Sequence, residues 1–349
     1  MSDRLTLKRP DDWHLHLRDG KALAVTVPAT ARVFGRAIVM PNLAPPDQVV
    51  TVAQAGAYRD RILAQVPMGV DFDPLMTLYL TQDTAPDEVG RAADSGFVHA
   101  IKLYPAGATT NSSAGVTDLD ALAPVLEAMQ EVGMPLCVHG ESTGPDVDVF
   151  DREAVFLDET LGDLVNRFPG LPVVLEHITT AEAVAFVRAA RPGVADTITP
   201  QHLLMNRNDL FAGGLRPHHY CLPVLKRAKH QAALQEAATG GESRFFLGTD
   251  SAPHARGAKE SDCGCAGCYS APYALPLYAE FFASRGALDR LEDFASRFGA
   301  EFYGLPPHAD EVTLVRDAHE VPAELPFVDG DGIVPYWAGR ELRWKVVDA

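Results

Sequence analysis

Short apolar runs alternate with longer helical patterns along almost the whole chain. The apolar runs have the length of buried β-strands, and the stretches between them have the spacing of helices that pack one face on a sheet. Strands are predicted at Trp13–Leu17, Ala37–Met40, Leu75–Leu80, Ala100–Tyr104, Leu136–Val138, Val173–Leu175, Asp196–Thr199 and Arg244–Leu247. Helices are predicted at Ala22–Val33, Val49–Ala64, Pro86–Ser95, Leu119–Val132, Glu153–Arg167, Ala181–Ala190, Leu225–Ala238, Ala274–Ser284 and Leu288–Phe298.

This alternation predicts βαβ units and therefore a parallel sheet. Eight consecutive units favour an α/β fold of the (β/α)8 barrel type over an open doubly wound sheet. No Gly-x-Gly-x-x-Gly motif follows the first strand, which disfavours a dinucleotide-binding fold. We expect a single domain over residues 1–349, with the barrel in about 5–303 and a peripheral extension, rich in Pro, Asp and Glu, in 304–349.

Composition and charge narrow the range of partners. The chain is 47% hydrophobic and 22% charged, as is usual for a globular protein, and its net charge of −17 argues against nucleic-acid and membrane partners. A small anionic substrate stays compatible with this charge, because a few local cations can outweigh a distant, screened background. The chain shows no signal peptide, no apolar run of about 18 residues and no disulfide framework among its five cysteines, so we expect a cytoplasmic protein.

Residue types that bind metal ions occur where the predicted strands end, which is where a barrel places its active site. His14 and His16 lie two positions apart on the first strand, so both side chains can face the barrel axis. Alone, this pair is a weak signal that more often marks surface or core. The other polar residues at strand ends are Arg18, Asn42, Lys102, His139, His177, Asp250 and His254.

Four histidines and one aspartate suit zinc, whose common ligands are imidazole nitrogen and carboxylate oxygen. Five protein ligands are too many for one open tetrahedral ion and too few for two ions without a bridge. Lys102 would supply the bridge if its amine had reacted with carbon dioxide to form a carbamate, whose two oxygens bind one metal each. The alternative is an ordinary buried lysine paired with Asp250.

These residues lie within longer segments that form a recognisable set. The segments are residues 12–19 (DWHLHLRD), 40–43 (MPNL), 101–105 (IKLYP), 138–141 (VHGE), 175–177 (LEH), 248–254 (GTDSAPH) and 263–268 (CGCAGC). Together they resemble the class II dihydroorotases of the amidohydrolase superfamily, and the likeness extends over about residues 5–303.

The resemblance implies a binuclear zinc site with two Zn²⁺ per subunit. His14, His16 and Asp250 would hold the more buried ion, His139 and His177 the more exposed one, and Lys102, as N6-carboxylysine, would bridge both together with a hydroxide. Asp250 would act as the general acid and base.

The resemblance also implies a substrate, a lid and an assembly. The reaction would be the reversible cyclisation of N-carbamoyl-L-aspartate to L-dihydroorotate in pyrimidine biosynthesis, in a homodimer. The residues implied to bind the substrate are Arg18, Asn42, Leu222, His254 and Ala266. A lid over residues 105–115 would bring Thr109 and Thr110 to the substrate; the plain alternative is a surface connection.

Three further questions stay open on the sequence alone. Cys263, Cys265 and Cys268 form either a loop beside the active site or part of a separate structural metal site. Another cyclic amidohydrolase, such as a dihydropyrimidinase or an allantoinase, would share the metal ligands but not the carboxylate-binding residues. A non-catalytic barrel would differ from both in binding no metal.

Overall fold

The computed structural model describes residues 3–347, and its central feature is an eight-stranded parallel sheet that closes into a barrel. The strands are β1 (Arg4–Lys8), β2 (Asp11–Leu15), β3 (Arg36–Val39), β4 (Asp73–Tyr79), β5 (Val98–Leu103), β6 (Leu136–Val138), β7 (Val173–Leu175), β8 (Val194–Ile198), β9 (Phe245–Leu247), β10 (Glu311–Glu320), β11 (Leu325–Pro326), β12 (Gly332–Ile333) and β13 (Glu341–Val346). In the barrel each strand from β2 to β9 pairs with the next along the chain.

Backbone hydrogen bonds between the first and the last barrel strands close the barrel. The amide of Asp250 donates to the carbonyl of His14 at 2.9 Å, and the amide of His16 donates to the carbonyl of Ser251 at 3.1 Å. These bonds also bring three of the expected metal ligands to one seam. The predicted (β/α)8 barrel is confirmed.

Helices surround the barrel, and several begin and end at local signals. The helices are α1 (Leu23–Ala31), α2 (Val52–Leu63), α3 (Pro86–Asp94), α4 (Ala123–Val132), α5 (Arg152–Phe156), α6 (Gly162–Arg167), α7 (Ala181–Ala189), α8 (Pro200–Leu204), α9 (Ala228–Thr239), α10 (Arg256–Lys259), α11 (Ala274–Ser284) and α12 (Phe298–Phe302). Thr51 and Gln54 form a capping box before α2, and Gly133, with φ of 71°, ends α4. Within residues 3–347, no helix is both long and apolar enough to cross a membrane.

The predicted helix over Leu288–Phe298 is wrong as a single α-helix. The structure has a 3-10 turn at Leu288–Arg290, a π-helical turn at Asp293–Arg297 and then α12. Each of these segments is about one turn long, so the different numbers of residues per turn do not show in the hydrophobic pattern.

The first barrel strand lies two residues earlier than predicted and contains a β-bulge. Asp12 is opposite Ala37 while Leu15 is opposite Val39, so β2 has one more residue than β3 over this stretch. A bulge of this kind re-aims the side chains that follow it. As a result Trp13 packs in the apolar interior while the next residue, His14, reaches the polar end of the barrel.

The interior of the barrel is apolar at the end opposite the polar cluster. Trp13, Cys137 and Phe246 pack there against α12, and the ring of Trp13 stacks on Tyr303 with centroids 4.6 Å apart. This apolar cluster fills one end of the barrel, so the polar residues lie at the carboxyl ends of the strands.

A second sheet, which the sequence did not predict, joins the two ends of the chain. β10 pairs antiparallel with both β1 and β13, and Leu314 and Trp344 from it are buried in the main core. Residues 304–349, expected to form a peripheral extension, therefore contribute two of its three strands. Arg36 and His308 tie the same region to the barrel through the fully buried Asp11.

Candidate metal centre and substrate cavity

The seam that closes the barrel brings His14, His16 and Asp250 into a compact triangle. The Nε2 atoms of the two imidazoles lie 3.3 Å apart, and Oδ1 of Asp250 lies 3.4 Å from His14 Nε2 and 3.1 Å from His16 Nε2. Two atoms that each bind a tetrahedral zinc ion at about 2.0–2.1 Å are about 3.3 Å from each other. The triangle therefore has the dimensions of three ligands around one cation.

Two of the three groups in this triangle, His16 and Asp250, are biased toward their metal-binding protonation states. Burial lowers the pKa of His16 to about 4, which leaves its imidazole neutral. Burial opposes ionisation of Asp250, but hydrogen bonds to His14 and His16 hold its pKa well below the usual range. A neutral imidazole and a carboxylate are the forms that bind zinc.

Glu176, at the end of β7, holds His14 from its other side. Its Oε2 lies 2.6 Å from His14 Nδ1, and Glu176 is almost fully buried. Burial lowers the pKa of His14, but the carboxylates of Glu176 and Asp250 together outweigh burial and raise that pKa. A carboxylate that accepts from Nδ1 leaves Nε2 as the nitrogen that faces a metal.

Lys102 lies on β5 and is fully buried at the centre of the cluster. Its Nζ contacts Glu176 and stands 5.0 Å from the centroid of the Tyr104 ring. The alternative expectation, a pair with Asp250, is therefore wrong: the carboxylate that Lys102 contacts is Glu176. The position of this amine among histidines and carboxylates fits a bridging role.

His139 and His177 lie on the side of the cluster away from His16. The ring of His177 is 4.8 Å, centroid to centroid, from both His14 and His139. Within residues 3–347, Nδ1 of His177 is buried and has no hydrogen-bond partner, whereas Nε2 of His139 lies 2.8 Å from Glu141. Burial, followed by the nearby charges of His139 and His14, holds the pKa of His177 well below its ordinary value. His177 is therefore a neutral imidazole with a buried Nδ1 that has no hydrogen-bond partner among the described residues.

The backbone at two of these residues is strained. His177 has φ of 44° and Asp250 φ of 45°, in the left-handed region that non-glycine residues avoid. Such strain costs on the order of 1–3 kcal/mol per residue and persists where the surroundings impose it. Asp12 is one such constraint, because its carboxylate accepts from the amides of His14 and Thr249 and from the Thr249 hydroxyl.

The triangle of His14, His16 and Asp250 fits one divalent ion in geometry, and the charges of the whole cluster suit more than one. The groups gathered within 4.8 Å of one another are His14, His16 and Asp250 in one set and His14, Glu176 and His177 in the other, and His139 belongs to neither set. Two zinc ions bring four positive charges, and the carboxylates of Asp250 and Glu176 balance two of them. Converting Lys102 from an ammonium to a carbamate would reverse its sign and balance a third.

A small cavity opens beside this cluster. It is lined by His16, Arg18, Asn42, Thr109, Thr110, Leu222, Asp250, Ala252, Ala266 and Gly267. Arg18, with φ of 62°, is held by a bond from Nε to the carbonyl of Pro253 and by its Nη2, 2.9 Å from His254 Nε2. Burial, then the charge of Arg18, lowers the pKa of His254 to about 2, so the pair carries a single positive charge.

The loop over residues 105–115 lines one side of this cavity with Thr109 and Thr110. The amide nitrogen of Asn42 donates to the carbonyl of Thr110 at 3.0 Å, and Asn111 donates back to the carbonyl of Asn42 at 3.1 Å. The Thr110 hydroxyl lies 3.4 Å from the carbonyl of Ala266. The loop is therefore docked on residues of the cavity wall.

The cysteines of the 263–268 segment do not converge. Cys263 and Cys265 have their sulfur atoms 3.4 Å apart near the surface, whereas Cys268 is buried with its sulfur 3.6 Å from the carbonyl of His218. The metal-ligand groups found within residues 3–347 contain no cysteine. The segment is a loop beside the cavity, to which it contributes Ala266 and Gly267.

Sequence reasoning missed the two buried acids that support the ligands, Asp12 and Glu176. The available signal was their position, since Asp12 lies in a short strand beside the two-histidine motif and Glu176 directly follows the apolar strand β7. A buried carboxylate needs a partner, and the nearest chemistry-bearing residue, His14 or His177, lies one or two positions away along the chain.

Residues 12–319 match the model of the amidohydrolase family, and the chain belongs to this family. The curated relatives narrow the assignment further. A dihydroorotase of Azoarcus sp. is 64% identical over 342 residues, which cover 98% of this chain and 99% of the relative. Within the amidohydrolases, the chain belongs to the dihydroorotases.

Solved structures agree with this assignment. A Campylobacter jejuni dihydroorotase is 36% identical, with a TM-score of 0.90, over 99% of this chain and 98% of its own. A Saccharomyces cerevisiae dihydroorotase in complex with 5-fluoroorotic acid is 33% identical, with a TM-score of 0.91, over 99% and 98% of the two chains.

Proposed function

We propose that the chain interconverts N-carbamoyl-L-aspartate and L-dihydroorotate at a binuclear zinc centre beside the cavity. The observation that carries this proposal is the triangle of His14, His16 and Asp250, with ligand-to-ligand distances of 3.1–3.4 Å, next to a cavity lined by Arg18. The high identity to dihydroorotases supports the choice of substrate.

Six side chains would hold the two ions. His14, His16 and Asp250 would bind one, His139 and His177 would bind the other, and Lys102, as a carbamate, would serve both. Glu176 orients His14 and balances charge. When bound, zinc supplies an acidified water and polarises the amide carbonyl that the water attacks.

The carboxylate of the substrate would bind at the other end of the cavity. Arg18 offers a planar pair of donors that matches a carboxylate, with Asn42 and His254 beside it. His254 Nε2 lies within 3.0 Å of two groups, the Arg18 guanidinium, which is a donor, and the Ala266 carbonyl, which is an acceptor. One nitrogen of a neutral imidazole either accepts or donates, so it can bond to only one of these two groups. A substrate carboxylate would take up the Arg18 donors and leave His254 free to donate.

Asp250 would carry the proton. In hydrolysis it accepts a proton from the attacking water, the new C–O bond forms at the ring amide carbon, the C–N bond breaks, and the proton passes to the departing nitrogen. Microscopic reversibility makes the same residue the acid and the base of ring closure. Its Oδ1 faces the two imidazoles, so Oδ2 is the atom assigned to proton transfer. Its low pKa makes it a weak base, and its contribution comes from placement.

The deciding experiment measures zinc content and turnover together in the wild type and in Lys102→Ala. We expect two zinc ions per wild-type chain, cyclisation of carbamoyl aspartate, hydrolysis of dihydroorotate and no hydrolysis of hydantoin. In Lys102→Ala the loss of the bridge should reduce bound zinc and lower turnover by at least about 10³-fold, as expected when a centre that activates water is dismantled.

Wild-type rates in Lys102→Ala would refute the carbamate bridge. Hydantoin turnover without dihydroorotate turnover would refute the substrate, and a folded, metal-free, inactive protein would refute the enzyme altogether. The homodimer and the cytoplasmic location stay predictions, and sedimentation of the purified chain tests the first.

A further inference from the structure

A buried lysine behind the cavity has all its ammonium hydrogens engaged by backbone carbonyls. Lys259 ends α10, and only 3% of its surface is exposed. Its Nζ donates to the carbonyl oxygens of Tyr220, Cys265 and Gly267, each at 2.8 Å. An ammonium has three N–H donors, so these three acceptors satisfy it completely.

The three carbonyls belong to the two segments that supply backbone to the cavity. Tyr220 precedes Leu222 by two residues, and Cys265 and Gly267 flank Ala266 on both sides. Leu222 and Ala266 both line the cavity. The amide of Gly267 also donates to the carbonyl of Tyr220 at 3.0 Å, so the segments meet directly beneath the lysine.

The backbone beside Ala266 is strained and needs support. Cys265 has φ of 21° and Gly267 φ of 150°, both positive. A side chain at Gly267 would bring its Cβ within 2.7 Å of Ala252 Cβ, so this segment passes close against the strand-end residues. Cys265 is the strained residue, since glycine adopts positive φ freely. Strain of this kind persists only where the surroundings fix it, and Lys259 bonds to the carbonyl of Cys265 as well as to that of Gly267.

Lys259 thereby sets the direction of both polar groups of Ala266. In a planar trans peptide the N–H points opposite to the C=O. Because the Cys265 carbonyl points to Nζ, the Ala266 amide points away from it. The Ala266 carbonyl, in turn, lies 3.0 Å from His254 Nε2 and 3.4 Å from the Thr110 hydroxyl.

The charge of Lys259 also acts on this side of the cavity. Its partners among residues 3–347 are the three carbonyls and the Tyr220 ring, whose centroid is 5.7 Å from Nζ, and none of these is a carboxylate. The positive charge therefore adds to that of Arg18, and at close range in a buried site such charges are weakly screened.

We propose that Lys259 is the positioning residue of the carboxylate wall, which we define as Arg18, Asn42, Leu222, His254 and Ala266. Its bonds to the carbonyls of Tyr220, Cys265 and Gly267 fix the backbone groups of Leu222 and Ala266. Its ammonium also supplies a second positive charge behind them. This inference rests on the proposed function for the identity of the ligand.

The test compares Lys259→Met, which keeps length and loses the donors, with the wild-type holoenzyme. We expect zinc content to stay at the wild-type value, kcat to change less than about three-fold, and KM for dihydroorotate to rise at least ten-fold. The dissociation constant of 5-fluoroorotate should rise in parallel, and amide exchange in residues 261–268 should accelerate. A ten-fold change corresponds to about 1.4 kcal/mol of binding free energy.

Lys226→Met is the matched control, because Lys226 is also a buried lysine bonded to a backbone carbonyl, that of Val224, and does not contact the 263–268 segment. It should leave KM and exchange in 261–268 unchanged. Unchanged KM and exchange in Lys259→Met would overturn the proposal, and so would a fall in zinc content that accounts for the lost activity.

If Lys259→Met does not fold, Lys259→Arg decides, since it keeps the charge but not the three-carbonyl fit. A raised KM for dihydroorotate in Lys259→Arg, at the zinc content of the wild type, then supports the proposal. A KM equal to that of the wild type overturns it. An inactive wild type would sink the proposed function instead, while the exchange comparison would still decide whether Lys259 holds the loop.

Discussion

Glu176 connects the two kinds of group that a binuclear centre needs, an oriented imidazole and a buried amine. It touches both His14 and Lys102, and its carboxylate can accept from an imidazole N–H and from an ammonium at once. Burial opposes its charge, but His14 and Lys102 hold the pKa of Glu176 below its ordinary value. It therefore stays ionised where a metal centre needs negative charge.

Glu176→Gln should keep the fold and weaken zinc binding by about 10–100-fold, the usual effect of losing a carboxylate behind a ligating histidine. The amide keeps the shape of the side chain but removes its charge. Competition with a chelator measures the zinc affinity. Glu88→Gln is the control, because Glu88 is a buried, hydrogen-bonded glutamate remote from the site. Equal zinc affinity in both variants would rule out the role of Glu176.

Some residues of the centre could be predicted from the sequence and others could not, for a physical reason. His14 and His16 stand out because a strand repeats every two residues, and the other histidines and Asp250 stand at strand ends. Glu176 contacts His14 across the barrel, and Asp12 bonds to Thr249 far along the chain, and nothing local in the sequence specifies either contact. Lys259 was equally hidden, since its partners are backbone carbonyls, which every residue has.

At the scale of elements, β8 contains a buried acid that has no visible structural partner. Asp196 is fully buried, and within residues 3–347 neither of its oxygens has a hydrogen-bond partner. Burial, with added repulsion from Glu153 and Glu242, raises its pKa well above the ordinary value. The folded chain therefore keeps this carboxyl protonated over a pH range in which the unfolded chain releases the proton.

This difference predicts a pH-dependent cost of folding that Asp196→Asn removes. Below about pH 4 both states bind the proton and the cost is absent, whereas above it the unfolded state is favoured by up to about 1.4 kcal/mol per pH unit, until the folded-state pKa is reached. Urea unfolding of both proteins between pH 5 and 8 measures this cost. The free energy of unfolding of Asp196→Asn should rise relative to that of the wild type as the pH rises. Asp94→Asn, at an exposed position, controls for loss of a carboxylate as such. A constant difference between wild type and Asp196→Asn would contradict the prediction.

Elements were predicted well wherever their partners are close in sequence. Each barrel strand pairs with the next one along the chain, and the intervening helix carries its own periodicity. The bulge in β2 depends on how β2 lies against β3, so the pattern alone placed the strand two residues late. The sheet of β1, β10 and β13 was missed because β1 pairs with a strand about 300 residues away.

At the scale of the whole molecule, that second sheet holds the two ends of the chain against the barrel. Trp344 on β13 is 1% exposed and belongs to the main core, and Arg343 bonds to Glu280 on α11. The centre and its cavity lie at the carboxyl ends of the barrel strands, whereas β13 packs on α11 outside them. Stability and chemistry are thus placed in different parts of the fold.

Trp344→Ala should therefore lower stability without altering the site. Removing a buried tryptophan costs about 3–5 kcal/mol, which should appear as a lower urea midpoint, while zinc content and KM of the folded fraction stay at wild-type values. Lys345→Ala is the matched control, because Lys345 is the exposed neighbour on the same strand and its surface ion pair with Asp317, at 3.5 Å, contributes little. A raised KM or lost zinc in Trp344→Ala at full folding would mean that the second sheet supports the active site as well as the fold.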